Sequence, residues 1–123
     1  MTELASLTLG QRDGVHIASI EGEVDVANAA SLQADIAAAV SNTAHGLVID
    51  LSQTEYFDSA GIRMLFELHK TLAGRRQGLR VVVPSGAIIL SALRVTEIDR
   101  LVPIDDNLNE AVARLTDAER RTA

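Results

Sequence analysis

A chain of 123 residues, 47% of them apolar, can bury one sizeable core and is too short for a second domain. Eleven basic against seventeen acidic residues leave a formal charge of −6, which repels phosphate backbones and anionic lipid and argues for a protein partner over nucleic acid. There is no cysteine, and His16, His45 and His69 form no ligand-spaced pair, so neither a disulfide nor a metal site is expected.

In chain order, Leu7 and Leu9 alternate with polar residues, Asp13-Gly14 supplies a tight turn, and Val15 to Ile20 resumes an extended pattern, which predicts an opening hairpin. From about Ala27 to Asn42, Ala29, Leu32, Ile36, Ala39 and Val40 recur at helical spacing in an alanine-rich stretch, giving the first helix. Leu47 to Ile49 and Val81 to Val83 are short continuous apolar runs, as expected of strands covered on both faces in a parallel sheet. Between them, Ile62, Leu65, Phe66, His69, Leu72 and Ala73 mark one face of a second helix, with Gly74 as a stop before Arg75-Arg76. Ser85 suits the cap of a third helix carrying Ile88, Ile89, Ala92 and Leu93. Val102 to Ile104 is a proline-interrupted strand. After Asp106, the offsets of Leu108, Ala111, Val112 and Leu115 define a last amphipathic helix.

The order predicts an α/β fold: a mixed, mainly parallel sheet with an N-terminal hairpin and about four helices, in a single domain over residues 1–115. Residues 116–123 form a polar, charged tail expected to fray. The N-terminal Met-Thr-Glu-Leu lacks a basic region followed by an apolar run, and no stretch approaches the roughly 20 apolar residues of a membrane span. A cytoplasmic protein without direct membrane insertion is expected.

Chemistry concentrates in Asp50 to Met64, where a buried strand ends, a polar connection follows, and Asp58-Ser59-Ala60-Gly61 leads into the second helix. A serine there sits beside unpaired N–H groups and the positive end of the helix dipole, so an added phosphate would be tolerated. It would bring a charge of roughly −1.5 to −2 next to Asp58, while small Ala60 and Gly61 would let another protein approach. The alternative is that Ser59 or Asp58 is simply an N-cap, contributing about 1 kcal/mol. Glu21-Gly22-Glu23-Val24-Asp25 ends the second hairpin strand just before the first helix. Because the carboxyl ends of parallel strands gather along one rim, Asp25 and Ser59 are candidate neighbours, although Asp25 also reads as an ordinary capping or solvated turn residue.

The ordered set of E-G-E-V-D at Glu21 to Asp25, L-V-I-D-L-S at Leu47 to Ser52, F-D-S-A-G-I at Phe57 to Ile62 and V-V-V-P at Val81 to Pro84 resembles the STAS family, over nearly the whole chain. That family is the domain shared by sulphate transporters and anti-sigma-factor antagonists. In the antagonist branch the serine of D-S-x-G is the phosphoacceptor, which the resemblance places on Ser59; Asp25 matches the family's acidic rim position. The second serine often found in the motif is Ala60 here. The resemblance implies partner switching, in which the unphosphorylated antagonist binds an anti-sigma serine kinase, the kinase phosphorylates the serine to disengage it, and a serine phosphatase resets the switch. Implied contact residues are Asp25, Asp58, Ser59 and Gly61. Arg63 and Met64 join them as residues off the main apolar stripe, with a solvated Arg63 and a core-packed Met64 as the alternatives.

Three rival readings remain at this level. A receiver domain would put a phosphorylated aspartate at Asp50, but the sole lysine, Lys70, falls in the second helix rather than near the last strand. No phosphate-binding loop, nucleophile elbow or activating histidine motif accompanies Ser59, so neither catalysis nor a cofactor is expected. The third reading is a non-switching STAS adaptor of a transporter, a lipid-trafficking complex or a stress-signalling assembly.

Overall fold

The opening hairpin forms where the alternation places it. Strands β1 (Ala5–Arg12) and β2 (Val15–Val24) pair antiparallel from Ala5 opposite Gly22 to Arg12 opposite Val15, around a turn in which Asp13 and Gly14 both take positive φ. The computed structural model describes residues 4–122, and every later strand pairing in it is parallel. Strands β3 (Gly46–Asp50), β4 (Thr54–Phe57), β5 (Gly78–Val82) and β6 (Ile104–Asp105) complete a six-stranded sheet of order β1-β2-β3-β5-β6, with β4 alongside β2. Helices α1 (Ala29–Ala39), α2 (Ser59–Gly74), α3 (Ile89–Val95) and α4 (Leu108–Thr122) make the crossovers and the end of the chain. The α/β architecture, mainly parallel with a leading hairpin and four helices, is as the sequence predicts; α4 runs on past Leu115 into the stretch read as a tail.

The continuous apolar runs are explained by burial from both sides. Leu47 and Ile49 point into the larger core with Leu32 and Ile36 of α1, Leu65, Leu68 and Leu72 of α2, and Leu93 of α3. Val48, one residue out of phase, joins Val15 and Val82 against Ala111, Val112 and Leu115 of α4. Beneath α4, buried Asp105 accepts from Arg80 Nε at 2.6 Å and from Arg114 Nη1, tying β6 to β5 and to α4. Nothing local in the sequence marks this cluster.

Four local expectations are corrected. The polar connection after Asp50 contains β4, which pairs with β2 at Gly22 to Val24, beyond the last β3 partner at Ser19. Its Thr54 is buried and donates its hydroxyl to Ile20 O at 2.7 Å, so the polar side chain is satisfied inside the sheet. The stop of α2 is not Gly74, which is its last helical residue, but Arg76 at φ 59°; Arg76 N–H bonds to Ala73 O and Gln77 N–H to Leu72 O, a Schellman closure. The buried face of α2 is Gly61, Met64, Leu65, Leu68 and Leu72, whereas Phe66 is 39% exposed. Finally, Ser85 does not cap α3. Its N–H donates to Asp106 Oδ1 at 2.8 Å, α3 starts at Ile89, and Ile88, just outside the helix, is 88% exposed.

Candidate functional site

The carboxyl ends of β2 and β4 lie side by side, Val24 opposite Phe57, and Asp58 N–H reaches back to Val24 O at 3.4 Å. The chain leaves β2 through a turn into α1 and leaves β4 directly into α2, so both helices begin at the same rim. The turn is held by Asp25, whose Oδ1 accepts from Ala27 N–H at 2.8 Å, and by Asn28, whose Oδ1 accepts from Asp25 N–H at 3.0 Å. Asp25 is thus a half-buried turn-forming residue at the rim beside the start of α2, while the N-cap position of α1 is Asn28.

Two glycines shape the rim. Gly22 takes φ +107°, and a Cβ there would stand 2.3 Å from Leu4 O; it is the first β2 residue paired with β4, opposite Thr54, and the β2–β4 register shifts directly after it. Gly61 is buried in the first turn of α2 over the Phe57 ring, and a Cβ there would come within 2.8 Å of ring carbons. Its small size therefore serves internal packing against Phe57. Gly61→Ala should destabilise the fold by about 1–2 kcal/mol, the ring overlap outweighing the helix-propensity gain of up to about 1 kcal/mol. Urea denaturation followed by circular dichroism measures the difference.

At the head of α2, Asp58 is the N-cap, with extended backbone (φ −102°, ψ −165°) and Oδ1 accepting from Ala60 N–H at 2.9 Å. The cap alternative thus falls on Asp58. Ser59, the first helical residue, is exposed, and its hydroxyl has no hydrogen-bond partner among the described residues. Ser59, Ala60 and Arg63 line one wall of an open groove of about 440 Å³ whose other wall is Val26, Ala29, Ala30 and Gln33 at the start of α1. Val26 is 84% exposed there. Arg63 is exposed, one helical turn after Ser59, and forms no ion pair among the described residues. Met64 lines the floor of the groove at 1% exposure and packs in the core, the core-packed alternative. Sequence reading missed Val26, Ala30 and Gln33; an apolar residue directly after Asp25 was the available sign.

The residues of the receiver-domain alternative do not converge. Asp50 Oδ1 accepts from Ser52 N–H at 3.0 Å, closing the turn after β3, while Lys70 stays on α2, 3.8 Å from Glu67 and over the Phe66 ring. No helix among the described residues is long and apolar enough to cross a membrane.

Comparison with known proteins bears on the chain as a whole. The family model of the STAS domain matches residues 6–111. BtrV of Bordetella bronchiseptica is 39% identical over 66 residues, an alignment spanning 54% of this chain and 57% of BtrV. The anti-sigma-F factor antagonist RsfB of Mycobacterium tuberculosis is 28% identical over 108 residues, 87% of this chain and 86% of RsfB. Among solved structures, an anti-sigma factor antagonist from Mycobacterium paratuberculosis is similar with a TM-score of 0.81 and 29% identity, covering 91% of this chain and 94% of that one.

Proposed function

The chain belongs to the STAS domain family, and from that premise we propose that it is an anti-sigma-factor antagonist, a binding protein rather than an enzyme, that works in the cytoplasm by partner switching. Unphosphorylated, it holds an anti-sigma serine kinase against the rim formed by the starts of α1 and α2, with Asp25, Asp58, Ser59 and Arg63 as polar contacts and Val26 as an apolar one. The kinase phosphorylates Ser59 and is thereby released, and a serine phosphatase restores the binding form. The observation that carries this reading is the division of labour at the head of α2: Asp58 takes the capping hydrogen bond and leaves the Ser59 hydroxyl exposed on an open groove, without a hydrogen-bond partner among the described residues.

Physically the switch is like-charge repulsion plus desolvation. A phosphate of charge roughly −1.5 to −2 appears beside Asp58 on a surface that must lose water to bind, while in the free protein the N-terminal dipole of α2 accommodates it. The fold therefore tolerates a modification that the interface does not.

The test is capture from the native cell with unmodified protein, Ser59→Ala and Ser59→Asp as baits, followed by mass-spectrometric identification and phosphosite mapping. Retention of an anti-sigma serine kinase by the first two baits and its loss with Ser59→Asp, together with phosphate on Ser59, is the expected outcome. Equal retention of transporter or assembly proteins by all three baits would make the chain a non-switching adaptor and end the proposal.

A further inference from the structure

Resting on the reading of Ser59 as phosphoacceptor, we infer that Arg63 pairs with the Ser59 phosphate within the same helix and thereby holds the phosphorylated state. Arg63 lies four residues after Ser59 on α2 and lines the same wall of the groove. Residues at this spacing are neighbours on a helix, with Cβ atoms about 5–6 Å apart, and an anion N-terminal to a cation is the favourable orientation. Arg63 is exposed and makes no ion pair among the described residues, so its guanidinium gives up no existing contact to turn toward the phosphate. A planar guanidinium also matches a phosphate in two-pronged geometry, which a lysine does not.

The remaining charges around position 59 act in the opposite sense. Asp58, fixed by its bond to Ala60 N–H, and Asp25, in the turn before α1, both disfavour the doubly charged phosphate. The α1 wall contributes Val26, Ala29, Ala30 and Gln33 and no charge. Arg63 is therefore the cation of the groove. Phosphorylation then changes the surface twice: it adds negative charge, and it occupies the arginine that an acidic group of the partner could otherwise engage. A partner that uses Arg63 loses that contact and meets repulsion in the same event.

The test is a titration followed by phosphorus NMR on protein carrying phosphoserine placed at position 59 during synthesis, so the result does not depend on finding the kinase. With Arg63 present, the second phosphate ionisation should lie below that of Arg63→Gln by about half a pH unit, because a nearby cation favours the doubly charged form and exposure tempers the effect. Arg63→Lys should keep part of the shift, and Arg75→Gln, at the far end of α2, should leave it unchanged. Circular dichroism of each variant confirms an intact helix. Equal ionisation midpoints in the parent and Arg63→Gln would overturn the pairing. Absence of phosphate on Ser59 in the cell would instead overturn the function while leaving the pairing measurable.

Discussion

Ser59→Asp is expected to weaken binding of the captured anti-sigma kinase about 10- to 100-fold, and Ser59→Ala to change it by less than about threefold, when affinities are measured by titration calorimetry with purified partners. One unit charge placed about 4 Å from a like charge is worth about 1–4 kcal/mol for effective dielectrics between water and a protein surface, and the middle of that range corresponds to this loss. Asp58 already supplies a like charge on the protein's own side, fixed in place by its capping bond. Free in solution, the added carboxylate sits at the start of α2, where the helix dipole stabilises it by about 0.3–1 kcal/mol. The variant should therefore melt at or slightly above the parent temperature while losing its partner. That pairing of outcomes separates an interface effect from damage to the fold. Undiminished binding by Ser59→Asp would remove position 59 from the interface.

The sequence is readable where apolar spacing is local and unambiguous. Leu47 to Ile49 and the offsets of Leu108 to Leu115 lie in the elements expected of them, and the run from Val81 marks the end of β5, which starts three residues earlier at Gly78 and stops before Val83. Strand β4 was hidden because Thr54, Glu55 and Tyr56 carry no apolar pattern; what makes them a strand is pairing with Gly22 to Val24, more than thirty residues away. The face of α2 was rotated because Leu65 and Leu72 suit either choice, and contact with the sheet decides for Met64 and Leu68 over Phe66 and His69. The spacing that puts Ile88 on the third helix does not reveal that α3 starts one residue later and leaves Ile88 exposed. At the site, Ser59, Asp58 and Asp25 were readable because caps and turns are short-range chemistry. The burial of Gly61 was not, since it depends on the Phe57 ring folding beneath the helix. The Arg80–Asp105–Arg114 cluster likewise joins residues whose only relation is tertiary.

The largest loss of stability is expected at the centre of the sheet, far from the groove. Gly46 opens β3 directly opposite Gly78, which opens β5, and a Cβ on Gly46 would stand 2.4 Å from Gly78 O. Unlike a clash with the end of a flexible side chain, this one is with backbone. Gly78 cannot retreat freely, because the space at its own Cβ position is filled by Leu115 Cδ2 of α4, 2.7 Å away. Relief would require β3 and β5 to separate at their start, which would disturb the buried residues Leu47, Val48 and Leu79 behind them. Gly46→Ala should therefore cost about 3 kcal/mol, at the upper end of what overpacking costs, despite adding only a methyl group. Gly74→Ala is the control: nothing lies within 4 Å of a Cβ there, its backbone is helical, and the exchange should stabilise by up to about 1 kcal/mol. Opposite signs for the same chemical change in urea denaturation would show that close approach of β3 and β5, rather than glycine's flexibility, dictates position 46. A Gly46→Ala protein as stable as the parent would mean that the two strands can part without cost, and the packing argument for the sheet's centre would fail.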